Sequence, residues 1–213
     1  MLALIATATV YGVLTLSLPE LSGKTSSVVV KNKVSLERDS LGHAVIKANS
    51  RNDAAFALGY AHGQDRFFQM DLLRRNAAGE LSFLFGKAAL ELDKKMRFHQ
   101  FRKRSQLILE QLPDDHINLL KSYSQGVNLA VSHMPYSSFE YLLAGAERTA
   151  WLPEDSLLVI FSMYLDLQSN SFSRDLTLSF INDKFGTDMM RFLTQPSKHQ
   201  AALDGSEFEL VEL

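Results

Sequence analysis

The chain has 213 residues, 46% of them hydrophobic, which suits one sizeable folded unit and excludes a disordered chain. A net charge of −2 excludes the basic field that draws nucleic acid, so no nucleic-acid partner is expected. With no cysteine, disulfides, thiolate metal sites and a cysteine nucleophile are excluded within this sequence.

Residues 1–18 carry no charge. A run of that length approaches the minimum for a membrane span, so it is expected to be an export signal or a membrane tether. No Lys or Arg precedes it, and only Ser22-Gly23-Lys24 offers a weak cleavage site. Residues 19–27 read as a polar linker. Val28–Val30 and Val34–Arg38 read as strands, Asp39–Gly42 as a turn, and His43–Ala48 as a returning strand. Two strands are marginal alone, so this hairpin is expected to join a sheet from another chain.

Asn52 or Asp53 is expected to cap a long helix ending near Asn76. Gly59 and Gly63 share one face of it and weaken it, which predicts close approach of another backbone. A short helix ending at Gly86 follows. Leu90–Leu112 reads as one basic amphipathic helix, with its charges on a solvated face. Pro113 opens a helix towards His133, with Asp114 and Asp115 in its first turn. Residues 134–149 read as a connection containing a short helix. Pro153–Asp155 open a helix through Leu167, and Arg174–Phe185 form another, stopped by Gly186. Residues 28–195 are expected to form the folded domain and residues 196–213 a polar tail.

No motif in this sequence is a self-sufficient active site. There is no P-loop, no GxGxxG, no helical metal pair and no Gly-x-Ser-x-Gly elbow. His62, alone in a helical stretch, is expected to be a satisfied structural residue. Gln64-Asp65-Arg66 places a carboxylate and a guanidinium in an apolar helix, which predicts a structural ion-pair network. Arg74-Arg75 reads as a solvated face or as pairs with Glu80 or Asp71 rather than an anion site.

One stretch nevertheless carries a signature: Asp39-x-x-Gly42-x-x-x-Ile46-x-Ala48, Asp53, Gly59-Tyr60-x-His62-x-Gln64-Asp65-Arg66-x-Phe68-Gln69-Met70, Arg74-Arg75, Gly79-Glu80-Leu81 and Gly86. It resembles the α chain of the penicillin acylase family, also called penicillin amidases. Gly63 departs from the family's usual Ala. Arg148-Thr149-Ala150-Trp151-Leu152-Pro153-Glu154-Asp155 looks like the family's Trp-x-Pro segment before a pocket-lining helix, and Lys184-Phe185-Gly186 fits the end of the next helix. The resemblance covers about Val28 to Gly186.

It implies an N-terminal-nucleophile hydrolase made as one precursor and cleaved into a small α and a larger β chain. The implied fold is α+β: a mostly helical α subunit whose hairpin joins an αββα core supplied mainly by the β chain. The nucleophile would be the serine that begins the β chain, with its own amine as base. The reaction would be hydrolysis of an N-acyl amide, a β-lactam side chain or an acyl-homoserine lactone, in the periplasm or at the inner membrane. The α chain would line the acyl side through Tyr164, Leu167 and Gln168. Leu167 and Gln168 stand where penicillin G acylases carry an Arg-Phe pair. Losing that aromatic lid favours a wider aliphatic group. The family's structural Ca²⁺ would take Asp175 as its ligand from this chain. Two rivals remain at this point: a non-catalytic homologue, and a membrane-anchored helical interaction module unrelated to acylases.

Overall fold

The computed structural model describes residues 1–134 and 136–195; the expected tail at 196–213 lies outside the described residues. Two compact units divide the chain, Met1–Met163 and Tyr164–Leu213.

The first unit starts with α1 (Leu2–Leu16). Its 15 residues span about 22 Å at about 1.5 Å each, short of a hydrocarbon core about 30 Å thick. Among the described residues no helix is long and apolar enough to cross a membrane. The tether expected through residues 1–18 gains no support from this helix, which closes before Pro19. Residues 28–30 are not a strand either; Val28 and Val29 lie in a turn.

β1 (Ser35–Arg38) and β2 (Ala44–Lys47) pair antiparallel, with Leu36 opposite Ile46 and Arg38 opposite Ala44. The turn between them is tied by Asp39. Its carboxylate accepts from the amides of Leu41 at 2.9 Å and His43 at 2.8 Å, and these bonds, the His43 amide first, hold its pKa below the ordinary 3.8. Gly42 completes the turn at φ 83°, a left-handed conformation. The spacing Asp39-x-x-Gly42 is therefore turn chemistry.

α2 (Arg51–Ala78) is the central helix, kinked at Arg66, whose φ −153° and ψ 30° are not helical. Ser50, not Asn52 or Asp53, is its cap: the Ser50 hydroxyl accepts from the Asp53 amide at 3.1 Å. The buried Asp53 carboxylate is used elsewhere, accepting from the Lys31 amide at 3.1 Å and from the Asn32 amide group at 3.4 Å. It thereby straps the segment after α1 onto the helix. Gly79 closes α2 at φ 68°, where the next amide, of Glu80, returns to the Arg75 carbonyl.

α3 (Ser82–Phe85) and a 3-10 turn (Gly86–Ala89) lead to α4 (Leu90–Arg97) and α5 (Phe101–Gln111). The single basic helix expected from Leu90 to Leu112 is thus two. Gln100 breaks it with a left-handed backbone at φ 53°. α6 (Asp114–His133) then packs along α2 at the distance the glycines allow. A Cβ on Gly59 would strike the Tyr123 carbonyl, and one on Gly63 the Val127 carbonyl. From the other side, a Cβ on Gly126 would strike the Phe56 carbonyl. Phe67, Met70, Leu84, Val127, Tyr141 and Trp151 form the core beside this crossing. α7 (Phe139–Ala144) supplies Tyr141.

His62 is satisfied as expected. Its Nδ1 shares a 2.9 Å hydrogen bond with the Tyr123 hydroxyl across the α2–α6 contact. Burial, then the Arg66 charge, lowers its pKa from the ordinary 6.5. The unfolded chain therefore takes up this proton first as pH falls. Stability from a neutral His62 is complete above 6.5 and is lost as pH drops through the lower folded value. His62→Gln should flatten the loss of stability between about pH 7 and pH 5 in urea unfolding. An acid limb unchanged by the substitution would show that His62 does not titrate with folding.

α8 runs unbroken over Pro153–Phe185, where two helices were expected, and α9 (Thr187–Thr194) follows. No Pro or Gly lies between Pro153 and Gly186, so nothing in the backbone forces a break.

Candidate functional site

Arg74, Arg75 and Glu80 of the signature stretch are engaged in structural ion pairs. Arg74, 3% exposed, uses all five of its N–H donors. Nε donates to Asp71 Oδ1 at 2.6 Å. Nη1 donates to Asp155 Oδ2 at 2.5 Å and to the Ala150 carbonyl at 2.7 Å. Nη2 donates to the Thr149 carbonyl at 3.0 Å and its hydroxyl at 2.7 Å. Its guanidinium also lies 5.0 Å from the Trp151 ring centroid. Arg75 reaches Asp71 Oδ1 at 2.9 Å and the Thr149 hydroxyl at 2.8 Å, and covers the Phe83 ring.

The carboxylates are equally occupied. Asp71 also accepts from the Tyr141 hydroxyl at 2.8 Å; burial, then the Asp71 charge, raises the Tyr141 pKa. Asp155 accepts from the Leu152 amide at 2.8 Å, closing the first turn of α8, and from Arg102 at 3.0 Å. Arg102 in turn grips Glu80 with two bonds of 2.6 and 2.7 Å. Three carboxylates thus face three guanidinium groups, those of Asp71, Asp155 and Glu80 against Arg74, Arg75 and Arg102.

Arg74, at the centre of the cluster, therefore has no N–H left for an anion. Of the partners expected for Arg74-Arg75, Asp71 is correct. Glu80 pairs with Arg102 instead, and neither arginine lies on a solvated face. Asp65 forms the ion pair expected of it, with Arg38 of the hairpin at 2.6 and 2.9 Å. The network's effect is to fix Thr149–Asp155. Asn128 clamps the same segment, exchanging two hydrogen bonds with the Trp151 backbone at 2.7 and 2.9 Å. Sequence reasoning missed Tyr141, Thr149 and Arg102. Only Asp71, three and four residues before the arginines on one helix face, left a readable signal.

The expected site residues lie on α8, in the second unit. Tyr164 is 55% and Leu167 71% exposed, and Gln168 and Asp175 are exposed as well. Tyr164, Leu167 and Gln168 stand at i, i+3 and i+4, one face of the helix, and Asp175 follows seven residues after Gln168 on the same stripe. Among the described residues no three His, Cys, Asp or Glu side chains converge to hold a metal.

The sequence profile of the penicillin amidase family matches residues 33–207. The chain belongs to that family. An unrelated helical module is thereby set aside. The family relatives include a penicillin acylase 2 proenzyme of Pseudomonas sp. (strain SE83), 37% identical over 68% of this chain and 19% of its own length. They also include the acyl-homoserine lactone acylase QuiP of Pseudomonas aeruginosa, 33% identical over 84% of this chain and 21% of its own length. The chain therefore spans about a fifth of the curated relatives it matches. In fold it is similar to a chain of the thermostable penicillin G acylase from Alcaligenes faecalis. The TM-score is 0.63 at 22% identity, covering 78% of this chain and 96% of that one.

Proposed function

We propose that this penicillin amidase family chain is the smaller, non-nucleophilic subunit of a two-chain amidase that hydrolyses an N-acyl amide. The observation that carries it is a mismatch. Relatives named as acylases are about five times longer than the matched region, while Arg74 and Arg75 of the signature are buried in a structural network. One relative is named a proenzyme, and a solved penicillin G acylase chain is matched over 96% of its length, both of which favour cleavage from a precursor. The attacking group would be the serine that begins the larger chain, with its amine as base. The hairpin, whose strands are only four residues each, would extend the larger chain's sheet. The assembled enzyme would work in the periplasm.

Tyr164, Leu167 and Gln168 would line the acyl side of the substrate, a β-lactam side chain or the acyl group of a homoserine lactone. A structural Ca²⁺ would take one carboxylate from this chain, Asp175. Since Ca²⁺ needs about 6–8 oxygens, the larger chain would supply the rest.

Intact mass spectrometry of the product of the full-length gene, with N-terminal sequencing of each chain, tests the subunit reading. A heavier companion beginning with Ser and amide hydrolysis by the pair are expected. A companion lacking that Ser would mark a non-catalytic homologue. The acyl-side reading has its own test. Leu167→Phe should shift kcat/KM about tenfold towards aromatic over long aliphatic acyl amides. An unaltered ratio would remove Leu167 from the acyl site.

A further inference from the structure

Residues 19–34, between α1 and β1, lie over α2 and α6 as a strap tied down at two points. The Glu20 carbonyl accepts from Gln64 Nε2 at 2.8 Å, and the Lys31 amide donates to Asp53 at 3.1 Å. From Leu21 to Val30 the one hydrogen bond among the described residues is internal to the strap, from the Val29 amide to the Ser27 hydroxyl at 3.3 Å. Between the strap and the two helices lies a cavity of about 920 Å³, within the range that encloses a small organic ligand. A roof held only at its ends can lift to admit one.

The lining has two characters. Its apolar walls include Phe56 and Met134, both buried, and Val34 and Leu36, both half-buried. Its charges are Lys24 and Lys33 against Glu20. Neither lysine ammonium has a hydrogen-bond or ion-pair partner among the described residues. Tyr60 and His133 line the same cavity and join α2 to α6, the Tyr60 hydroxyl 3.1 Å from His133 Nδ1. Burial, then the Glu20 charge, raises the Tyr60 pKa, so its hydroxyl keeps its proton. With that O–H given to Nδ1, the neutral imidazole carries its own proton on Nε2, a donor that no described residue takes up.

We propose that this cavity binds a long-chain carboxylate, its alkyl chain against the apolar walls and its head group drawn to the free ammonium groups of the strap. The lining decides the sign. Two unpaired cations outnumber one carboxylate, and the spare polar group of the Tyr60–His133 pair is a donor, so an anion is favoured and a cation is repelled. Phe56, Met134, Val34 and Leu36 need an apolar body attached to that anion, which a small inorganic ion lacks. The choice of an acyl acid rests on the two-chain reading above. Hydrolysis of an N-acyl amide adds the hydroxyl of water to the acyl carbon and a proton to the departing nitrogen, which releases a carboxylate and an ammonium. The cavity's lining includes none of the α8 residues assigned to the acyl side, so the acid would be held by residues of the strap, α2 and α6.

Dodecanoate bearing a terminal diazirine, photolysed with the full-length gene product and mapped by peptide mass spectrometry, tests this. Label is expected within residues 24–36, 56–64 or 130–134. Calorimetry should show dodecanoate bound and dodecylammonium not. Lys24→Glu/Lys33→Glu should weaken dodecanoate about tenfold while kcat for amide hydrolysis stays unchanged. No label, label confined to other residues, or equal dodecanoate affinity in the double variant overturns the proposal. Label in the cavity of a protein that has no second chain and hydrolyses no amide overturns the two-chain reading and leaves the site standing.

Discussion

Replacing Arg74 with alanine should cost about 3–5 kcal/mol of folding stability, because it strips the shared cation from two carboxylates that have no access to water. Asp71 and Asp155 are 0% and 1% exposed. Without Arg74, Asp155 would keep only Arg102 and the Leu152 amide, and Asp71 only Arg75 and the Tyr141 hydroxyl. The carbonyls of Thr149 and Ala150 would also lose their donors. Arg74→Lys should rescue little. An ammonium has three donors on a point, whereas the site presents acceptors on three sides of a planar fork. Arg102→Ala should cost less, about 1–2 kcal/mol, since Arg102 and Glu80 are 28% and 29% exposed and water can replace what is lost. Urea unfolding followed by circular dichroism reads all three. The ranking is the test: equal losses for Arg74→Ala and Arg102→Ala would mean that the buried half of the network is hydrated in solution. Because the network fixes Thr149–Asp155, Arg74→Ala should also loosen the first turn of α8, read as faster amide exchange there.

How far this was legible in the sequence depends on the distance between partners. Relations within one helical turn or one hairpin could be read. Gly59 and Gly63 announced a close neighbour, Asp39 and Gly42 announced a turn, and Asp71 sat one turn from Arg74 and Arg75. Relations across the chain could not. Asp155 lies 81 residues from Arg74, and nothing local distinguishes it from any acidic residue in a first helical turn. Two local readings failed because tertiary demand overrode preference. Asp53 is a good cap by type, but its carboxylate is taken by Lys31 and Asn32, which leaves the cap to Ser50. The basic run after Leu90 has continuous helical character, yet the chain turns at Gln100 so that Phe101 can stack on Phe161, ring centroids 4.4 Å apart. The α8 residues are a different case. Tyr164, Leu167, Gln168 and Asp175 were placed by resemblance alone, and no local pattern on α8 singles them out from its other exposed residues.

Gly126→Ala sets two effects of opposite sign against each other, and magnitude decides between them. In a helix interior, alanine is preferred over glycine by about 0.8–1 kcal/mol, so propensity alone predicts a gain. At Gly126 the new methyl would meet the Phe56 carbonyl and the Tyr60 amide, which are backbone atoms that no rotamer change can move. α2 and α6 would have to separate along the crossing that keeps Val127 at 0% and Ala61 at 1% exposure. Overpacking costs about 1–3 kcal/mol even where side chains can yield, so about 3 kcal/mol or more is expected here, net of propensity. Gly59→Ala, facing the Tyr123 carbonyl from the other helix, should behave alike. The two should not add, since the first substitution already parts the helices. Gly12→Ala is the control: nothing lies within 4 Å of its missing Cβ, so only the propensity gain remains. Unfolding midpoints that rise for Gly12→Ala and fall steeply for Gly126→Ala would confirm that glycine at this crossing serves packing. A Gly126→Ala protein as stable as its parent would mean that the helices lie farther apart than the carbonyl contacts require.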